Sequence, residues 1–306
     1  MFFNLLAVFL LQPDPDSLRR IYEEGLDRRI EQYGVEDTRT AQAARDLGLY
    51  LKLRGETDAA RTALTRTLEM DEAALGPKAL ETLKDAAELA SISPPGEAAP
   101  LWMRASESPE PGVASTAFAA LAGLGGAAGD REGAAAYYSR ALKAEQAASG
   151  PLSPRMAVLM SALAMTVQPE EGIPIMQRAL QINRDALGLR HPETATTETN
   201  LAGMLVNVGK PDGAVPLLTD AIKVFELTLG PGHPRVASAS TVLAYAMKQK
   251  GDRVRAEAMY RRALAIDEKA YGPSHEGTLA DVKHLAEFLR ETGKTNEAAV
   301  LEKRLK

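Results

Sequence analysis

Three histidines recur at one spacing. They stand in Leu187-Gly188-Leu189-Arg190-His191-Pro192, in Leu229-Gly230-Pro231-Gly232-His233-Pro234, and in Tyr271-Gly272-Pro273-Ser274-His275. A periodic histidine suggests metal ligation. Ligands must converge within a few ångströms, whereas packed helices hold equivalent positions of neighbouring repeats roughly 8–10 Å apart. The histidines therefore read as helix-start residues, and no metal or cofactor is expected. Nucleophilic catalysis has little material, because the chain has 0 cysteines and 4 histidines, three of which the period explains. Adjacent carboxylates such as Glu23-Glu24 and Glu170-Glu171 diverge on a helix. Gly123-Leu124-Gly125-Gly126 lacks the preceding strand and following Lys-Ser/Thr of a phosphate loop, so it reads as a helix end. The chain is read as a non-enzyme.

The elements that carry these residues come from the period itself. Gly188, Gly230 and Gly272 are 42 residues apart, and weaker marks precede them at Gly34, Gly76, Gly112 and Gly150. A fixed period in this range is the mark of stacked supersecondary units. A second glycine, Gly55, Gly129, Gly209, Gly251 or Gly293, divides most periods into two helical stretches. The first stretch carries Leu next to a small residue, as in Leu47-Gly48, Leu201-Ala202, Leu243-Ala244 and Leu285-Ala286. The second carries small residues at spacings of four and three, as in Ala214, Leu218, Ala221 and Ala256, Tyr260, Ala263. Those spacings place them on one helical face. Pro174 and Pro216 are expected in the first turn of this second helix, where no internal donor is lost.

Composition agrees. Aromatic residues make up 5% and apolar residues 45% of 306, which favours helix and permits a large core. Formal net charge is −5 with no basic run, so no nucleic-acid footprint is present. The run 1–13 is apolar up to Leu11 and stopped by Gln12-Pro13; it is too short to span a bilayer as one helix. It reads as an export signal, with a helix capping the array as the alternative. Export would place the protein in the periplasm or outside the cell. Without it, the cytoplasm is expected, and no stable membrane span is expected in the mature chain.

The array is expected to cover 14–306. It opens with a half repeat at 14–34, passes through a degenerate middle at 76–150, and is best formed from 188 to 306. The segment 93–112, rich in proline and holding the sole Trp102, leaves room for one short helix.

Thr199-Asn200-Leu201-Ala202 through Asn207-Val208-Gly209-Lys210, with Tyr260-Arg261-Arg262-Ala263-Leu264-Ala265-Ile266, resembles the tetratricopeptide repeat. The 42-residue period with Leu-Gly-x-x-His-Pro between pairs resembles its kinesin-light-chain type. The resemblance implies an all-α fold, a right-handed α-solenoid of antiparallel helix pairs. It also implies that first helices line a groove binding a protein or peptide. By that pattern the groove candidates are Gln42, Arg45, Lys52, Thr199, Asn200, Asn207, Thr241, Tyr245, Lys248, Lys283, His284 and Glu287. Asparagines suit an extended backbone, since the amide both donates and accepts. Lysines and arginines suit a carboxylate. The family's carboxylate clamp is not reproduced, because Asn200 aligns with Val242 and His284. The expected function is a binding scaffold. Alternatives are a module that pairs into homodimers through its terminal helices, or an accessory subunit of an enzyme.

Overall fold

The computed structural model describes residues 15–305. The apolar run 1–13, and with it the expected export signal, lies outside the described residues. The described chain is all-α, without strand, and divides at Ala148/Ser149 into two compact units. The first holds α1 (Pro15–Tyr33), α2 (Thr38–Leu53), α3 (Thr57–Leu75), α4 (Leu80–Ala90), α5 (Pro95–Ala105), α6 (Pro111–Ala127) and α7 (Arg131–Ser149). The second holds α8 (Pro154–Thr166), α9 (Pro169–Leu187), α10 (Pro192–Asn207), α11 (Pro211–Leu229), α12 (Pro234–Gln249), α13 (Arg253–Tyr271), α14 (Glu276–Glu291) and α15 (Thr295–Glu302), then a short 3-10 turn. Consecutive helices pack side by side, which makes each unit a stack of helix hairpins. No described helix is long and apolar enough to cross a membrane.

The two glycine series do different work. Gly251 takes φ 79° after α12. There the Asp252 N–H donates to the Met247 carbonyl at 2.9 Å, closing the helix end as a left-handed cap. Gly272 takes φ 89° with ψ 169°, a region that only glycine enters without strain. It turns the chain so that His275 begins α14.

The repeated histidines are helix N-caps. Nδ1 of His191, His233 and His275 accepts the N–H of Glu193, Arg235 and Gly277, each at 3.1 Å. The first repeat puts Asp37 in the same role, accepting from the Arg39 N–H at 2.9 Å. The Arg39 guanidinium holds the Asp37 carboxyl down at about 2. An imidazole accepting through Nδ1 offers one free nitrogen at the surface, which does not make a metal site. Among the described residues no cluster of three ligating side chains exists.

A buried threonine ties four of these turns. The hydroxyls of Thr40, Thr82, Thr194 and Thr278 donate to the carbonyls of Gly34, Gly76, Gly188 and Gly272 at 2.8 to 2.9 Å. Where Gly230 should have this partner, Val236 stands instead and packs with Phe225, so an apolar contact replaces the polar one.

The Leu-small pairs form the core. Leu201, Leu243 and Leu285 are buried beside Ala202, Ala244 and Ala286. The small residue is required by proximity: a Cβ on Gly48 would stand 2.8 Å from the Leu64 side chain. On the facing helices Ala214, Leu218 and Ala221, and Ala256, Tyr260 and Ala263, are all buried.

Pro174 and Pro216 depart from expectation. They lie inside α9 and α11, whose first-turn prolines are Pro169 and Pro211. The carbonyls they leave unbonded belong to Glu170 and Asp212, both exposed, so water satisfies them at little cost.

Candidate functional site

In the C-terminal unit the first helices α10, α12 and α14 present their polar positions along one side. Each is held at its start by its histidine cap and at its inner face by its Leu-Ala pair. Between them lies a concavity of about 440 Å³. Its wall takes Asn207 from α10, Thr241, Val242 and Tyr245 from α12, and His284 and Glu287 from α14. Gly203, with no side chain, and Val206 widen it on the α10 side, and Tyr260 of α13 also lines it. Five of the twelve candidate residues therefore meet in one place.

Their chemistry is mixed and largely unengaged. The Asn207 amide, exposed at the end of α10, and the half-buried Asn200 amide make no hydrogen bond among the described residues. Tyr245 is 42% exposed, which is high for so large a ring. Tyr260 is 4% exposed, and its phenol finds no hydrogen-bond partner among the described residues. The ring lines the concavity, so its hydroxyl is open to water or to a ligand atom there. Burial pushes the Tyr260 phenol above its ordinary pKa, so it stays a neutral donor. Surrounding protein pushes the His284 imidazole down, so near neutrality it offers one donor and one acceptor.

Other candidates are engaged elsewhere. Thr199 is buried, and its hydroxyl donates to the Ala195 carbonyl at 2.9 Å, so it does not face the groove as expected. Lys248 pairs with Glu291 at 2.5 Å, beside the Tyr245 ring. Lys283 and Glu287 face one another at 4.0 Å, both exposed.

The N-terminal candidates are tied into the stack. Arg45 was expected as a ligand-binding cation, but its side chain is 13% exposed and bridges three helices. Its Nε and Nη2 donate to the two Asp85 oxygens at 2.6 and 3.0 Å, and Nη2 also reaches Asp71 Oδ2 at 2.7 Å. Gln42 accepts from Arg45 Nη1 at 2.9 Å and donates to Asp46 at 2.8 Å. Lys52 donates to Glu88 and to Ser91, each at 2.7 Å. Arg45 and Lys52 thus join α2 to α4 and are not spare cations for a ligand carboxylate. Burial raises the Asp85 pKa, and the Arg45 guanidinium opposes that shift.

Sequence reasoning missed Gly203, Val206, Val242 and Tyr260. Tyr260 had a signal, its match to Tyr22 and Tyr138, but that match reads as core packing alone. The buried acids Asp71 and Asp85 were also missed. Their signal is a second pair at the same repeat positions, Asp267 and Asp281.

Stacked hairpins with a polar concavity along the first helices define a helical-repeat solenoid. Residues 195–269 match the family model described as tetratricopeptide repeat. Among solved structures the chain is similar to BtubC (BKLC) from P. vanneervenii. The identity is 22% with TM-score 0.54, over 79% of this chain and 89% of that one. It is also similar to a structure of kinesin light chain nearly identical TPR-like repeats from Podosopora anserina, at 21% identity and TM-score 0.55, over 64% of this chain and 93% of that one. A Rap protein complexed with Competence and Sporulation Factor matches at 15% identity and TM-score 0.57, over 88% of this chain and 76% of that one. These likenesses concern the fold. A search of curated proteins finds no significant match.

Proposed function

We propose that the chain is a non-catalytic scaffold that holds an extended segment of a partner protein along α10, α12 and α14. The observation that carries this reading is the concavity gathering Asn207, Thr241, Tyr245, His284 and Glu287 from three successive repeats. Amide, hydroxyl, imidazole and phenol groups at repeat spacing suit a peptide backbone, and the exposed Tyr245 ring suits an apolar side chain. Modest contacts from several repeats add along a preformed surface, which limits the ordering cost of binding. The Rap-protein neighbour was solved in complex with a factor, which is consistent with ligand binding on a fold of this kind.

The test is affinity capture from the source cells with the full chain. Asn207→Ala combined with Tyr245→Ala should lose the partner while circular dichroism stays unchanged, since both side chains are exposed. A partner retained at full strength by the double variant overturns the groove reading. Light scattering of the purified chain separates a binding scaffold from a self-pairing module.

A further inference from the structure

Two positions face one another across four of the junctions between a second helix and the next first helix. One lies five residues before the junction glycine and the other nine after it. Around Gly188 they are Asn183 and Thr197, bonded at 2.9 Å. Around Gly230 they are Phe225 and Ala239, both buried in one apolar cluster. Around Gly76 and Gly272 they are acidic pairs, Asp71 with Asp85 and Asp267 with Asp281. A third position, on the preceding first helix, lies eleven residues after the previous glycine. It is Arg45 beside the first acidic pair and Thr241 beside the second.

The two acidic sites differ in what stands against the carboxylates. Arg45 bridges its pair with a guanidinium, at 2.6 and 3.0 Å to Asp85 and 2.7 Å to Asp71. Thr241 is too short to do so. Its hydroxyl donates to Asp281 Oδ1 at 3.0 Å, and among the described residues the buried atoms Asp281 Oδ2 and Asp267 Oδ1 have no hydrogen-bond partner; Asp71 Oδ1 at the first site has none either, but there Arg45 supplies the opposite charge. The Asp281 side chain belongs to a residue 7% exposed. His275 stands near Asp267, and no lysine or arginine acts on either acid. Gly277 stands where the first site has Glu81, so no side chain covers Asp267 from that position. Unpaired buried carboxylate oxygens are costly and call for a cause, most of all where no lysine or arginine of the chain offsets their charge.

We propose that Asp267 and Asp281 receive the guanidinium of an arginine carried by the partner segment that lies along α10, α12 and α14. This rests on the groove reading above: Thr241, which holds Asp281, is itself part of the concavity wall. A guanidinium is favoured over an ammonium because two carboxylates on different helices need a planar fork with several donors. The N-terminal unit shows that geometry achieved by Arg45. Burial and the Asp267 charge push the Asp281 carboxyl up to about 6, which an incoming cation would reverse.

The test uses the full chain, nitrogen-15 labelled, with N-acetyl-arginine amide as probe and N-acetyl-citrulline amide as its uncharged counterpart. The arginine probe should shift the backbone signals of Thr241, Asp267 and Asp281 saturably in the millimolar range, and the citrulline probe should not. Asp281→Asn should weaken the response about tenfold or more. Thr241→Arg supplies the guanidinium internally, so it should abolish the response and raise Tm. Equal responses to both probes, or full binding by Thr241→Arg, overturn the proposal. An arginine-specific response together with partner capture insensitive to Asn207 and Tyr245 overturns the groove reading alone. Capture that depends on Asn207 and Tyr245, without an arginine-specific response, overturns this inference alone.

Discussion

Replacing Arg45 by alanine should unfold the N-terminal unit far more easily than its place near a surface groove suggests. Asp71 and Asp85 have side chains 3% and 1% exposed, and Arg45 supplies three hydrogen bonds to them at 2.6 to 3.0 Å. Removing one partner of a buried ion pair leaves charge without compensation and costs about 3–5 kcal/mol. The contact to Glu81 at 3.2 Å adds little, because that carboxylate is 44% exposed. The assay is urea unfolding followed by tryptophan fluorescence. Trp102, the single tryptophan, lies buried on α5 against α6 and so reports this unit alone. Lys78→Ala is the control, since Lys78 and Glu107 pair at 3.2 Å with exposures of 82% and 55%. That variant should move stability by no more than about 0.5 kcal/mol. Adding Asp71→Asn and Asp85→Asn to Arg45→Ala should recover much of the loss. A loss below about 1 kcal/mol for Arg45→Ala, the value of an exposed pair, would refute the argument from burial.

Three further outcomes follow from the same geometry. His275→Ala removes an N-cap acceptor and should cost about 1 kcal/mol in thermal unfolding, with His275→Asp restoring most of it. Gly272→Ala forces a side chain into φ 89° and should cost about 1–3 kcal/mol, whereas Gly25→Ala, in a helix with open space around it, should be neutral or stabilising. Asp281 sits at about 6 when folded and near 3.8 when unfolded, so the folded state holds its proton more tightly. Stability of the C-terminal unit should therefore be greatest below about pH 4 for this group and fall by up to ~3 kcal/mol as pH rises through 6, a slope that Asp281→Asn removes in denaturation at stepped pH.

The fold was legible because its determinants are local and repeat. Gly272, His275 and the Leu285-Ala286 pair each act within a few residues, and their recurrence separates signal from accident. The prolines were misplaced because Pro174 and Pro216 look like helix starters, and only the observed beginnings at Pro169 and Pro211 put them in the second turn. The site was half legible. The family pattern marks the polar positions of a first helix but not what stands opposite them. Arg45 and Thr241 occupy one repeat position and have opposite fates, because Asp71 and Asp85 meet the first and a shorter reach leaves Asp281 only half satisfied.

That contrast explains why candidate residues must be weighed across helices and not along one. A polar side chain on a first helix is available to a ligand only if the preceding second helix and the next first helix leave it unmatched. Lys52 meets Glu88 and is engaged; Asn207 meets no such partner and is available. The same rule points from Thr241 to the half-satisfied carboxylate of Asp281. In a repeat protein one long side chain at this position suffices to bridge the two acids, as Arg45 does, and a short one leaves part of them unbridged, as Thr241 does. Thr241→Arg tests that logic directly. If the acids at 267 and 281 can hold a cation as Asp71 and Asp85 do, an internal guanidinium should stabilise the C-terminal unit and block an external one; a destabilised variant would mean that the two junctions are not equivalent and that these acids are not arranged for a cation.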